Sequence, residues 1–86
     1  MNKFEYYLIL SEDRTKIISL GCVIDLNLYT AKNYLSYTEK SASDTLAKIK
    51  QISKGKDPFY SKKEHISFAK KQLELKPTVV KVEIKI

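Results

Sequence analysis

The C-terminal stretch leaves the chain little choice of conformation. Val80, Val82, Ile84 and Ile86 alternate with Lys81, Glu83 and Lys85. Extended backbone puts all four apolar side chains on one face, whereas a helix would scatter them around its axis. A strand with unpaired backbone groups needs partners, and the other end of the sequence offers them. Phe4, Tyr6, Leu8 and Leu10 alternate with Glu5, Tyr7 and Ile9. The polar stretch Ser11-Glu12-Asp13-Arg14-Thr15 follows, and Lys16 to Ile24 reads as a second strand with Ile18, Leu20, Cys22 and Ile24 on one face. Two alternating runs joined by five polar residues predict a hairpin. Gly21, inside the second run, is expected to mark a bulge or a close backbone approach. By strand parity Tyr6 belongs to the core, and Tyr7 is exposed or interfacial if only one face of the sheet is covered.

Between these ends the period changes. Ala42, Thr45, Leu46, Ile49 and Ile52 share one face of a helix with lysines opposite. Thr38 or Ser41 can cap it, Ser41-x-x-Asp44 approximates a capping box, and Gly55 suits a left-handed stop. A second helix is expected from about Ser61 to Leu75, stopped by Pro77. Ile66, Ala69 and Leu73 line one stripe of it. Phe68 and Leu75 fall about 180° away at about 100° per residue, where a second buried side or a partner would cover them. Residues 25–37 carry no clear period: Leu26 and Leu28 alternate as in a strand, Tyr29–Tyr34 fit the start of a helical turn equally well, and a short strand near Asn33–Tyr37 is the expectation. The order β-β-(β)-α-α-β predicts an α+β fold, with two helices packed on one face of a small, mostly antiparallel sheet.

With 86 residues, one modest core and one domain (1–86) are expected. The single cysteine, Cys22, excludes an internal disulfide, so a reducing cytoplasmic setting is expected. No signal-peptide pattern opens the sequence, and the uncharged run Ile17–Ile24 is too short to span a bilayer, so no membrane association is expected.

Little in the sequence points to catalysis. His65, the only histidine, lies beside Lys63 and Glu64; sequence neighbours on a helix do not face each other, so it is expected on a helix surface. Cys22 is expected in the core as a small hydrophobe. Glu12 and Asp13 are adjacent and point apart, and turn chemistry accounts for Asp13. One histidine and one cysteine do not make a zinc site, and Gly21 and Gly55 do not make a phosphate loop. No catalytic residues, metal or cofactor are expected.

Charge gives the stronger signal. The net charge is +6, but residues 1–46 sum to −1 and residues 47–86 to +7. That asymmetry favours an anionic partner for the C-terminal half, against the plain alternative of a solvated lysine-rich face. All the basic residues but Arg14 are lysine, which disfavours bidentate reading of bases. The stretch Lys54-Gly55-Lys56-Asp57-Pro58-Phe59-Tyr60-Ser61-Lys62-Lys63 sets four lysines and one aspartate around two aromatics. Phosphate-neutralising cations and base-stacking rings are the two parts of sequence-tolerant single-strand binding. Lys70 and Lys71 would extend such a surface. In the rival reading Phe59 folds back to plug the gap between the helices.

Three functional expectations follow. The first is a non-catalytic interaction protein of the kind small phages and mobile elements encode, inhibiting a nucleic-acid-handling host protein as an anti-CRISPR-type blocker does. Its protein interface would draw on Phe68, Leu75, Tyr29, Tyr34 and Tyr37, since exposed tyrosines suit interfaces. The second is direct nucleic-acid binding through Lys54, Lys56, Phe59, Tyr60, Lys62, Lys63, Lys70 and Lys71. The third is a homodimeric module joined through Phe68 and Leu75 or through the terminal strand edge.

Overall fold

The structure, a computed structural model, describes residues 3–85, with side chains over residues 5–83. The orientations expected for Phe4, Ile84 and Ile86 lie outside the described residues. Strand β1 (Lys3–Leu10) runs antiparallel to the terminal strand β4 (Thr78–Lys85) along its whole length, with Tyr6 opposite Val82 and Leu8 opposite Val80. The two alternating ends of the sequence thus satisfy each other. On its other side β1 meets β2 (Lys16–Ser19) through Leu10 and Ile17. Where β2 diverges, Ser36 takes over: its N–H and C=O exchange 2.9 Å hydrogen bonds with Tyr7. The strand expected near residues 33–37 is reduced to that one bridge.

The second expected strand is two. β2 turns back at Leu20-Gly21 into β3 (Cys22–Asp25), and Ser19 pairs with Cys22 across the turn. Gly21 has φ +78°, a conformation that glycine takes without steric cost, so the chain reverses in two residues. Instead of a bulge, Gly21 marks a hairpin turn. The reversal also breaks the expected parity. Ile18, Leu20 and Val23 pack with the cluster around Ile9, whereas Cys22 lies beside Tyr34 at the opposite face. The sheet order is β3-β2-β1-β4, all antiparallel.

Helices cover both faces. α1 (Leu28–Asn33) is short and takes the helical alternative for this segment; Asn27 caps it, accepting from Tyr29 N and Thr30 N while Thr30 Oγ1 accepts from Asn27 N. α2 (Glu39–Ser53) starts at Thr38, whose hydroxyl accepts from Ser41 N at 3.1 Å. Asp44 does not cap this helix; it pairs with Lys40. Gly55 ends α2 at φ +71° with its N–H bonded to Ile52 O. α3 (Lys63–Glu74) follows the loop 54–62. Ile9, Ile18, Ala42, Ile49, Ile52 and Ala69 form one buried cluster between sheet and α2–α3. Leu8, Leu10 and Ile17 form a second, covered by Ala31, Tyr34 and Leu35. Tyr7 therefore packs against the helix layer and is half-buried, because both sides of β1 are covered.

Candidate binding surface

The loop from α2 to α3 is organised by one buried acid. Asp57, only 5% exposed, accepts hydrogen bonds on Oδ1 from Phe59 N (2.9 Å) and Tyr60 N (3.2 Å). Its Oδ2 lies 3.5 Å from Lys48 Nζ on α2. A buried carboxylate needs such partners to offset lost hydration, so Asp57 fixes the loop and turns its charge inward. Lys48 also sits over the ring of Tyr60, 5.5 Å from its centroid. Tyr60 packs on the core and meets His65 edge-to-face at 5.3 Å.

That arrangement divides the two aromatics of the stretch. Tyr60, expected on the binding surface, is half-buried and plugs the gap between loop and helices. Phe59, for which a folded-back position is the alternative expectation, points outward and is 83% exposed. Both adjacent N–H groups are bonded to Asp57, which holds the two residues in this turn with Tyr60 inward and Phe59 outward. Lys54, Lys56, Lys62, Lys63, Lys70 and Lys71 are all exposed, and none makes an ion pair among the described residues. The four lysines and Phe59 thus lie exposed along the connection between α2 and α3 and at its two ends. Lys70 and Lys71 lie about two turns further along α3.

His65 is half-buried rather than on the surface, and its Nδ1 is buried with no hydrogen-bond partner among the described residues. It borders a groove of about 280 Å³ between the β2–β3 turn and α3, lined by Leu20, Gly21, Tyr60, His65, Phe68 and Gln72. Cys22, on the other side of the sheet beside Tyr34, is not brought to His65, so the two do not form a thiol–imidazole pair. Among the described residues no three His, Cys, Asp or Glu side chains gather as a metal would require. No helix among them is long and apolar enough to cross a membrane.

No family model, curated protein or solved structure matches this chain. The remaining interface candidates separate by burial. Tyr34 is half-buried against the Leu8–Leu10–Ile17 cluster. Tyr29 is 83% and Tyr37 80% exposed, and the Tyr37 ring meets a half-buried Tyr6 at 5.6 Å with the two planes tilted by 60°. Phe68 and Leu75 are each a little over one-third exposed, and Phe68 lines the groove beside Ala69 and Gln72. Leu28, absent from the expected interface residues, is as exposed as Tyr29. Its signal was the Asn27-x-x-Thr30 capping pattern, which starts a helix and turns Leu28 outward.

Proposed function

We propose that this is a non-catalytic binding protein whose α2–α3 loop contacts a flexible polyanion, with single-stranded nucleic acid as the ligand that fits best. The observation that carries the reading is the division of labour around Asp57. The one acid of the loop is turned inward to Lys48, while Phe59 and the flanking lysines project outward. An exposed ring among uncompensated cations combines a stacking platform with phosphate neutralisation. Base-specific reading is not part of the proposal, because lysine is a point charge without arginine's planar fork.

Fluorescence anisotropy with labelled single- and double-stranded DNA and RNA tests it. Single strands are expected to bind more tightly than duplexes of equal charge. Phe59→Ala is expected to cost about 1–3 kcal/mol of single-strand affinity, the range for loss of one stacked base, with no change in duplex affinity. Equal loss on both substrates would remove the stacking role, and absence of binding at low salt would remove the proposal.

A second reading has its own observation. Leu28 and Tyr29, both 83% exposed on α1, form an apolar pair more typical of a protein contact than of a solvated helix end. It supports the blocker reading, in which the chain is a phage or mobile-element product and a nucleic-acid-handling host protein is the partner. Retention of such a protein by the native chain and its loss with Leu28→Ser/Tyr29→Ser would favour that reading.

A further inference from the structure

The groove between the β2–β3 turn and α3 adjoins the α2–α3 loop through Tyr60, which forms part of its wall. At about 280 Å³ it stands at the small end of ligand sites, which run from about 300 to 1,000 Å³, with room for one flat ring system. Leu20, Ile52, Phe68 and Ala69 make its sides apolar. Lys48 already sits over the Tyr60 ring, whereas Phe68 is 36% exposed, so Phe68 is the ring left for stacking. Two acceptors border these sides. Glu64 is exposed and makes no ion pair among the described residues. His65 Nδ1 is buried with no hydrogen-bond partner among them, and a buried polar atom left unmet is costly.

The surroundings select an occupant. Lys62 and Lys63 immediately precede Glu64, so a cationic ligand is repelled by the lysines and a phosphate by the carboxylate. A neutral planar group with N–H donors meets neither obstacle. Phe59 and Glu64 are five residues apart, at most about 18 Å along the chain. A single strand stacked on Phe59 therefore passes close to the groove with its bases free to turn in, whereas a duplex would first have to unstack and unpair one.

We propose that the groove holds one guanine base of that strand, stacked on Phe68 and hydrogen-bonded through N1–H and N2–H to the Glu64 carboxylate. The site rests on strand binding at the loop and adds a base preference that lysines cannot supply. An ionised carboxylate accepts on two oxygens and suits two parallel donors. Guanine presents that pair on its Watson–Crick edge. Adenine and cytosine set a ring-nitrogen acceptor beside their amino group, and thymine flanks its one N–H with two carbonyls, so each turns an acceptor towards the carboxylate. The other N2–H of guanine is left for the His65 imidazole, whose Nδ1 has no partner without it.

Fluorescence anisotropy of a labelled thymine oligonucleotide, with and without one central guanine, tests the site. The native chain is expected to bind the guanine strand about tenfold more tightly, within the range for one bidentate base contact. Glu64→Gln keeps the size of the side chain but loses one acceptor oxygen. It is expected to cut the preference to about twofold or less without weakening the thymine strand. Inosine, which lacks the N2 amino group, should lower the preference of the native chain in the same way. The His65 Nδ1 resonance should shift with the guanine strand and stay in place with thymine. A thymine strand that binds as well as the guanine strand, or a preference that survives Glu64→Gln, would overturn the groove site and leave the loop's role standing. No binding of either strand at low salt would overturn both.

Discussion

Two backbone positions after the helices make opposite demands on the same conformation. Gly55 and Lys76 both follow a helix C-terminus in the left-handed region, at φ +71° and 51°. Glycine occupies that region freely, whereas a Cβ costs about 1 kcal/mol or more there. Gly55→Ala is therefore expected to destabilise by about 1 kcal/mol, although its Cβ would meet only Ile66 Cδ1 at 3.6 Å. Lys76→Gly is expected to stabilise by about 0.5–1 kcal/mol, since its exposed ion pair with Glu12 at 3.5 Å contributes little. Urea unfolding of both variants checks the pair of signs. Asp13 gives a pH signature at the same scale. Hydrogen bonds from Ser11 Oγ (2.7 Å), then from Thr15 Oγ1 and N, hold its carboxyl at about 2 against an ordinary 3.8. A depressed carboxylate stabilises the fold fully above its unfolded value and loses that contribution as pH falls towards the folded one. Between pH 3.8 and about 2, the urea midpoint of the native chain should fall more steeply than that of Asp13→Asn. Parallel slopes would show that the Ser11–Lys16 turn does not depend on that charge.

Among the elements, the β2–β3 hairpin depends most on a distant residue. Gln72, buried on α3, donates from Nε2 to Ser19 O at 2.7 Å and to Cys22 O at 2.9 Å. Both carbonyls flank the turn, so one amide clamps the hairpin to the helix layer. Gln72→Ala is expected to cost about 1–3 kcal/mol, because buried acceptors are left unmet, and to speed amide exchange in residues 19–24. The same hairpin marks where sequence legibility stopped. β1, β4, α2 and α3 were legible because an unbroken period of 2 or 3.6 names a conformation by itself. The turn was not, because Leu20 is apolar and packs on the core, leaving Gly21 as its only punctuation. α1 stayed ambiguous between helix and strand because six residues give less than two turns of period, although the Asn27–Thr30 box favours the helix. In the candidate surface the lysines and Phe59 were legible as composition. The burial of Asp57 and Tyr60 was not, since it depends on Lys48, a residue of the preceding helix that periodicity alone assigns to solvent.

At the scale of the molecule, the charge asymmetry and the fold reinforce each other. The acidic and basic halves meet in one sheet through β1 and β4, but the loop lysines lie on the connection between α2 and α3, outside the sheet pairings. They are free to act as a group because the core is closed without them: both clusters are built from strand and helix side chains on the two faces of the sheet. Removing the loop cations is therefore expected to leave the fold intact and change only what it attracts. The most direct test is the salt dependence of single-strand binding for the native chain and for Lys54→Ala/Lys56→Ala/Lys62→Ala/Lys63→Ala. Each neutralised phosphate contributes about 0.7 to the slope of log affinity against log salt. The variant is predicted to bind more weakly to every sequence, with a slope flatter by about 2–3. An unchanged slope in a folded variant would contradict the assignment of this surface to a polyanion.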